Sequence, residues 1–258
     1  MKVLLVGNGG REHTLAWKIY NSDSFKNKNG ILYCTKCNPG INAISQSVKI
    51  NPTDIDDITE FVNSNDIELV VIGPEVPLSM GLADKISEFT HAKVFGPSKS
   101  AAEIETSKVF SKDFMKRNDI PSAHYASFGI DTFSNSISYL NTISYPVVIK
   151  ADGLAAGKGV YIAESKEEAV NFITDINKNQ IFGESGDKFI IEEFLNGFEL
   201  SVFAVTDGDD FVILPTAQDH KKIGDNDTGK NTGGMGAYSP ADGLIDKDTF
   251  KKIKENRN

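Results

Sequence analysis

Two lysines bracket the most chemically suggestive run of the chain, Lys150-Ala-Asp152-Gly153-Leu-Ala-Ala-Gly157-Lys158-Gly159. Glycines let a backbone approach a ligand and turn its N–H groups inward, and lysine adds a mobile positive charge, so the run suits phosphate. It is not a P-loop. Three residues rather than four separate Gly153 from Gly157-Lys158, and Gly159 stands where a magnesium-binding Ser or Thr belongs. The apolar runs on either side, Val147-Val-Ile149 and Val160-Tyr-Ile162, read as strands, whereas a P-loop opens a helix. A flap between antiparallel strands fits better; a glycine-rich hairpin with a solvated lysine is the plainer alternative.

A second anion-binding arrangement lies at the N-terminus. The strand Val3–Val6 runs into Gly7-Asn8-Gly9-Gly10-Arg11-Glu12-His13, and a helix follows with Leu15, Ala16 and Ile19 on one face. Strand, glycine turn and helix present free N–H groups to an anion. A dinucleotide fingerprint needs a third glycine where Glu12 stands, and the strand Ile31-Leu-Tyr33 does not end in a ribose-holding acid, so NAD is disfavoured. The alternative is a Rossmann-like turn without a ligand. After the strand Leu69–Ile72, the prolines of Gly73-Pro74-Glu75-Val-Pro77-Leu78 hold an extended or turning loop with Glu75 at a strand C-terminus, either near a ligand or as a solvated carboxylate.

From Ser98 to Asn118 the pattern is helical, with Lys108, Lys112 and Lys116 four apart; they form a solvated face, or Lys108 reaches a phosphate from the helix start. Glu192-Glu193-Phe194-Leu195 ends a strand with paired carboxylates. Glu199–Val205 reads as a strand pairing with Phe211–Leu214 across a turn. Gln218-Asp219-His220-Lys221-Lys222 and Asn231-Thr232-Gly233-Gly234-Met235-Gly236-Ala-Tyr238-Ser-Pro240 are polar runs. The second reads as a nest of backbone donors for an anionic or sugar ligand, or as a surface loop. Asp225 and Asp227 are too few ligands for magnesium. The single Cys34-Thr-Lys-Cys37 motif reads as structural or incidental, with a redox or metal role as the alternative.

The elements that position these residues divide the 258-residue chain. Four strands alternating with helices within residues 1–100 imply a parallel Rossmann-like sheet, followed by a helical linker over 101–121. A smaller α+β unit spans 122–193, containing strands Ser122–Ser127 and Lys188–Leu195 and a helix opened by a Ser165–Glu168 capping box. Residues 194–258 begin a further subdomain that ends in a helix from Asp246. The fold class is α/β. A net charge of -9 argues against nucleic-acid binding. The apolar start of the chain is too short for a signal peptide and no run is long enough to span a membrane, so a cytoplasmic protein is expected.

Taken in order, these stretches resemble the phosphoribosylamine–glycine ligase family of ATP-grasp enzymes. The resemblance rests on Val6–His13, Gly73–Leu78, Phe95–Ser98, Ser107-Lys108, Val148–Gly159, Ile191–Leu195, Gln218–Lys221 and Asn231–Pro240. It implies ATP-dependent joining of glycine to 5-phosphoribosylamine through a glycyl phosphate, with a Rossmann-like domain ahead of an ATP-grasp domain. By the same resemblance Lys108 and Lys150 contact ATP phosphates beneath a flap from Gly153 to Gly159, including Gly157 and Lys158. Glu192, Glu193, Phe194 and Leu195 line the adenine slot and Glu199 bonds the ribose. Asn8, Gly9, Gly10 and Glu75 hold the ribosylamine. Asp219, His220 and Lys221, with Thr232, Gly233, Gly234, Met235 and Gly236, belong to the acceptor side as orienters. Family members continue past residue 258, where the resemblance places the Glu and Asn that chelate magnesium or manganese; no metal ligand is assigned within this chain. A truncated chain with impaired activity is therefore expected. The alternatives are a nucleotide-binding fragment needing a complementary C-terminal polypeptide, or another ATP-grasp carboxylate–amine ligase.

Overall fold

The computed structural model describes residues 1–153, 159–226 and 228–255, with the side chains of 230, 231, 254 and 255 set aside. Gly157 and Lys158 of the flap, and Asp227, lie outside the described residues. Contacts divide the chain into two compact units, Met1–Phe114 with Asp152–Leu154, and Met115–Ala151 with Ala155–Asn258.

The first unit is a five-stranded parallel sheet. In chain order it runs β1 (Lys2–Val6), α1 (Gly10–Asn21), α2 (Asp23–Lys26), β2 (Ile31–Thr35), α3 (Pro39–Asn42), β3 (Gln46–Val48), α4 (Ile55–Ser64), β4 (Leu69–Ile72), α5 (Glu75–Ser79), α6 (Leu82–Phe89), β5 (Lys93–Phe95) and α7 (Lys99–Thr106). Strand order is β3-β2-β1-β4-β5. Alternate residues of β1 feed opposite cores: Leu4 and Val6 pack with Ile58, Val62, Leu82 and Ile86 of α4 and α6. Val3 and Leu5 pack with Ala16 and Ile41 of α1 and α3. Burial on both faces is why these strands read as continuous apolar runs. From β1 the chain moves outward through β2 to β3, then returns to place β4 on the other side of β1. The crevice beyond the C-terminal ends of β1 and β4 is therefore the sheet's topological switch point, where such folds bind ligands.

Three local expectations change. A fifth strand, β3, pairs Tyr33 with Gln46, and its polar sequence carried no strand signal. The expected Gly73–Leu78 loop is mostly helix: Pro74 is extended (φ -84, ψ 152), and Pro77 falls in the first turn of α5, where a missing N–H breaks no hydrogen bond. The helical stretch from Ser98 is two helices, α7 and α8 (Lys108–Arg117), separated by Ser107 in an extended conformation.

In the second unit, β6 (Tyr125–Gly129), α9 (Phe133–Tyr139), β7 (Val147–Ala151), β8 (Val160–Ala163), α10 (Lys166–Asn177) and β9 (Lys188–Glu193) form an antiparallel sheet of order β6-β9-β7-β8. Its core joins Val147, Ile149, Phe189 and Ile191 to Ala169, Ile173 and Ile176 of α10. Only part of the expected capping box forms: Ser165 Oγ accepts the Glu168 N–H, but the Glu168 carboxylate accepts from Glu164 N–H instead.

Two hairpins follow, β10 (Ala204–Thr206) with β11 (Phe211–Ile213), and β12 (Gln218–Gly224) with β13 (Thr228–Tyr238), before α11 (Lys247–Glu255). The strand expected from Glu199 is confined to Ala204–Thr206, with Ser201 making an isolated bridge to Ala217. The run expected as a loop or nest is largely strand. Antiparallel pairing with β12 satisfies its backbone, and the irregularities concentrate at register shifts and at Gly229 and Gly234, both with positive φ. No described helix is long and apolar enough to cross a membrane.

Candidate active site

At the switch point, β1 ends on Gly7 and α1 begins after Gly9, so the expected ribosylamine group of Asn8, Gly9 and Gly10 shares one sheet edge with Glu75 at the start of α5. Arg11 ties the two loops together. Its Nη1 and Nη2 donate to the two carboxylate oxygens of Glu75 at 2.6 and 3.1 Å. Glu12 is buried; its Oε2 accepts the Gly9 N–H at 2.6 Å, closing the first turn of α1, while Oε1 finds no donor among the described residues.

The Arg11 hydrogen bonds hold the Glu75 carboxyl below the usual carboxylate range, against a smaller opposing effect of burial. The native state therefore keeps Glu75 more acidic than the unfolded chain does. Its contribution is complete above about pH 4.3 and is lost as the pH falls through the lower folded-state value. Both side chains are open to water, limiting the effect to under about 1 kcal/mol. Glu75→Gln should melt a few degrees below wild type at neutral pH and converge with it as the pH falls through the lowered folded-state value. A gap in melting temperature that survives acidification would show that the ion pair is not its source.

The phosphate-binding candidates lie on two frames. In the first unit, Lys108 opens α8 and its Nζ donates to the carbonyls of Asp152 and Gly153 at 3.3 and 3.1 Å. Asp152 caps the same helix: Oδ1 accepts from Val109 N–H at 2.7 Å, and Ser107 Oγ lies 3.1 Å from both carboxylate oxygens. The start of the flap is thus fixed to a helix N-terminus, and a carboxylate in that place is favoured by the dipole as well.

In the second unit, β7 and β9 pair Val148 with Glu192 and Lys150 with Ile190, which puts Lys150 and Glu192 on the face away from α10. The two form an ion pair, with Glu192 only 5% exposed. Alternation sends the neighbouring carboxylate elsewhere: Glu193 accepts the His124 N–H at 3.0 Å. Phe194 and Leu195 follow β9 and are exposed. Farther on, Glu199 pairs with Lys221 at 2.9 Å. Across the β12–β13 hairpin Asp219 faces Ala237 and His220 faces Gly236, while the His220 ring stacks on Tyr238. Thr232 Oγ1 donates to the Lys221 carbonyl and accepts the Gly234 N–H, which draws Thr232–Gly236 together with Asp219, His220 and Lys221. Met235 is exposed.

Two family models match the chain in succession: the N domain of phosphoribosylglycinamide synthetase over residues 1–105 and its ATP-grasp (A) domain over residues 106–256. The chain belongs to the phosphoribosylglycinamide synthetase family. Phosphoribosylamine–glycine ligase of Chlorobaculum tepidum is 44% identical over 99% of this chain and 59% of its own length. The Yersinia pestis ligase is 43% identical over 99% of this chain and 58% of its own length. The crystal structure of phosphoribosylamine–glycine ligase from Thermotoga maritima superposes with a TM-score of 0.80 at 33% identity, covering 99% of this chain and 59% of that one. The chain thus spans less than two thirds of the length of these relatives. A biotin carboxylase domain from Hydrogenobacter thermophilus, solved with MgADP, shares the fold alone, at a TM-score of 0.68 and 16% identity over 86% of this chain.

The residues that hold the loops carried no functional signal of their own in the sequence. Glu12, noted only as a missing glycine, closes α1, and Ser107 with Asp152 secures the flap's first residues. The signal for Ser107 was present as a capping residue beside Lys108, hidden inside what read as one helix. Among the described residues no three His, Cys, Asp or Glu side chains converge to hold a metal ion.

Proposed function

We propose that this chain supplies the ATP- and amine-binding portion of a phosphoribosylamine–glycine ligase, which joins glycine to 5-phosphoribosylamine through a glycyl phosphate in purine biosynthesis. The observation that carries this reading is the end-to-end match to both family domains; Lys108 bonded to the Asp152 and Gly153 carbonyls in the first unit and Lys150 paired with Glu192 in the second support it. Phosphoryl transfer depends mostly on positioning and charge stabilisation, so two lysines and backbone amides are the appropriate equipment, with no protein nucleophile. Lys108 and Lys150 neutralise ATP phosphates, and Gly153 and Gly159 bound the flap. Glu192, Glu193, Phe194 and Leu195 border the adenine, and Glu199 takes the ribose hydroxyls by exchanging its Lys221 partner. Asn8, Gly9, Gly10 and Glu75 hold the ribosylamine. Asp219, His220 and Lys221 with Thr232–Gly236 orient the acceptor side. We place the magnesium or manganese ligands in the part of the relatives that this chain does not span, and the reaction in the cytoplasm.

A second reading has its own support. Phe194, Phe198, Phe203, Val212, Ile223 and Met235 are large apolar residues, all exposed, on the segment carrying the two hairpins. A complementary polypeptide would cover them, and the chain alone would then bind nucleotide without turning it over. The deciding assay follows ADP release by the 258-residue chain, alone and mixed with the remaining portion of a relative, with glycine and phosphoribosylamine each omitted in turn. Turnover only in the mixture, and only with both substrates, is expected. Turnover by the chain alone would overturn the need for a partner. Turnover that proceeds without glycine would instead support another ATP-grasp carboxylate–amine ligase.

A further inference from the structure

The segment that ends β2 grips the Gly7–Gly10 loop at four points. Thr35 Oγ1 accepts the Gly7 N–H at 2.8 Å, and the Cys34 thiol donates to the Gly7 carbonyl at 3.1 Å. The Asn8 side chain donates to the Lys36 carbonyl, and the Asn38 side chain to the Asn8 carbonyl, both at 2.9 Å. Between the cysteines, Lys36 adopts a left-handed conformation (φ 42) that turns the chain back, and Cys37 Sγ comes to lie 3.4 Å from the Cys34 carbonyl. Cys37 Sγ also lies 3.3 Å from Ser45 Oγ. Cys34 is fully buried, Cys37 is half-buried, and both are free thiols.

We propose that Cys34 and Cys37 form a reversible dithiol–disulfide pair whose oxidation loosens the Gly7–Gly10 loop. The more accessible Cys37 thiolate attacks a low-molecular-weight disulfide such as glutathione disulfide, giving a mixed disulfide and one glutathione thiolate. Cys34 then loses its proton and attacks the Cys37 sulfur, expelling the second glutathione. The sum is one protein disulfide and two glutathione thiols, with two electrons and two protons leaving the protein. A disulfide has no S–H, so the Gly7 carbonyl loses its donor, and Cys34 must turn from the loop towards Cys37. Burial holds the Cys34 thiol above the ordinary cysteine range, which keeps it protonated as a donor in the reduced protein and leaves Cys37 as the attacking thiol. The inference rests on these contacts and does not depend on the ligase reading.

Intact-mass measurement of the full chain after exposure to glutathione disulfide tests the chemistry, and amide hydrogen exchange over residues 7–13 tests the coupling. Wild type should lose the mass of two hydrogens, reversibly with dithiothreitol, and exchange at Gly7 and Gly9 should rise roughly five- to tenfold, the effect expected of a lost buried hydrogen bond. Cys34→Ser should instead accumulate a glutathione adduct at Cys37. A wild-type chain that stays unmodified or stops at the glutathione adduct would overturn the proposal. A disulfide that forms without changing loop exchange would also overturn it.

Discussion

Replacing Lys150 with methionine should cost the second unit about 2–3 kcal/mol of stability and weaken ATP binding at least tenfold. The stability loss arises because Glu192, 5% exposed, would lose the Lys150 ammonium from beside its buried carboxylate. Removing one member of a fully buried pair costs about 3–5 kcal/mol, and the 30% exposure of the Lys150 side chain lets water recover part of that. Substituting both partners, Lys150→Met with Glu192→Leu, exchanges the pair for apolar contact and should restore most of the stability. ATP binding should not return, because the phosphates then keep Lys108 but lack the Lys150 cation. Denaturant titration and calorimetry on the two variants therefore separate the structural role of Lys150 from its proposed ligand role. Recovery of both properties in the double variant would refute the assignment of Lys150 to the phosphates.

Gly7→Ala should destabilise the first unit by about 3 kcal/mol. Gly7 turns the chain at the end of β1 with φ +108, and an added Cβ would lie 2.8 Å from both Glu12 Cγ and Pro74 Cδ. Left-handed strain contributes about 1–2 kcal/mol and overpacking about 1–3 kcal/mol. Gly10→Ala is the matched control. Its Cβ meets nothing within 4 Å and its position opens α1, so stability should be unchanged or slightly raised. Equal denaturation midpoints for the two variants would contradict the steric account of the loop.

The sequence made plain whatever depended on local pattern. β1 and β4 were legible because both faces are buried and every residue is apolar or nearly so, and Lys150 stood out by its place between a strand and glycines. β3 was not legible, since a three-residue edge strand needs only backbone pairing and Gln46 and Ser47 are exposed. α5 was concealed by prolines whose effect depends on where the helix begins. The glycines of β13 read as loop because its strand geometry comes from pairing with β12, which no periodicity inside the segment records. Side-chain partnerships were hidden for a related reason: Arg11 and Glu75 are 64 positions apart, and Ser107 and Asp152 are 45. Only the topology brings them together.

The strand edges give the two units different behaviour towards other copies of the chain. β3 and β5 close the parallel sheet with three residues each, too short to recruit a foreign strand effectively. β13 is eleven residues long and, among the described residues, is paired along one side only. Ile223, Met235 and Tyr238 stand exposed on that hairpin. Strand-to-strand aggregation in concentrated solution thus has its best template in β12–β13, and a charged residue introduced at Ile223 would blunt it while leaving the Rossmann-like sheet untouched.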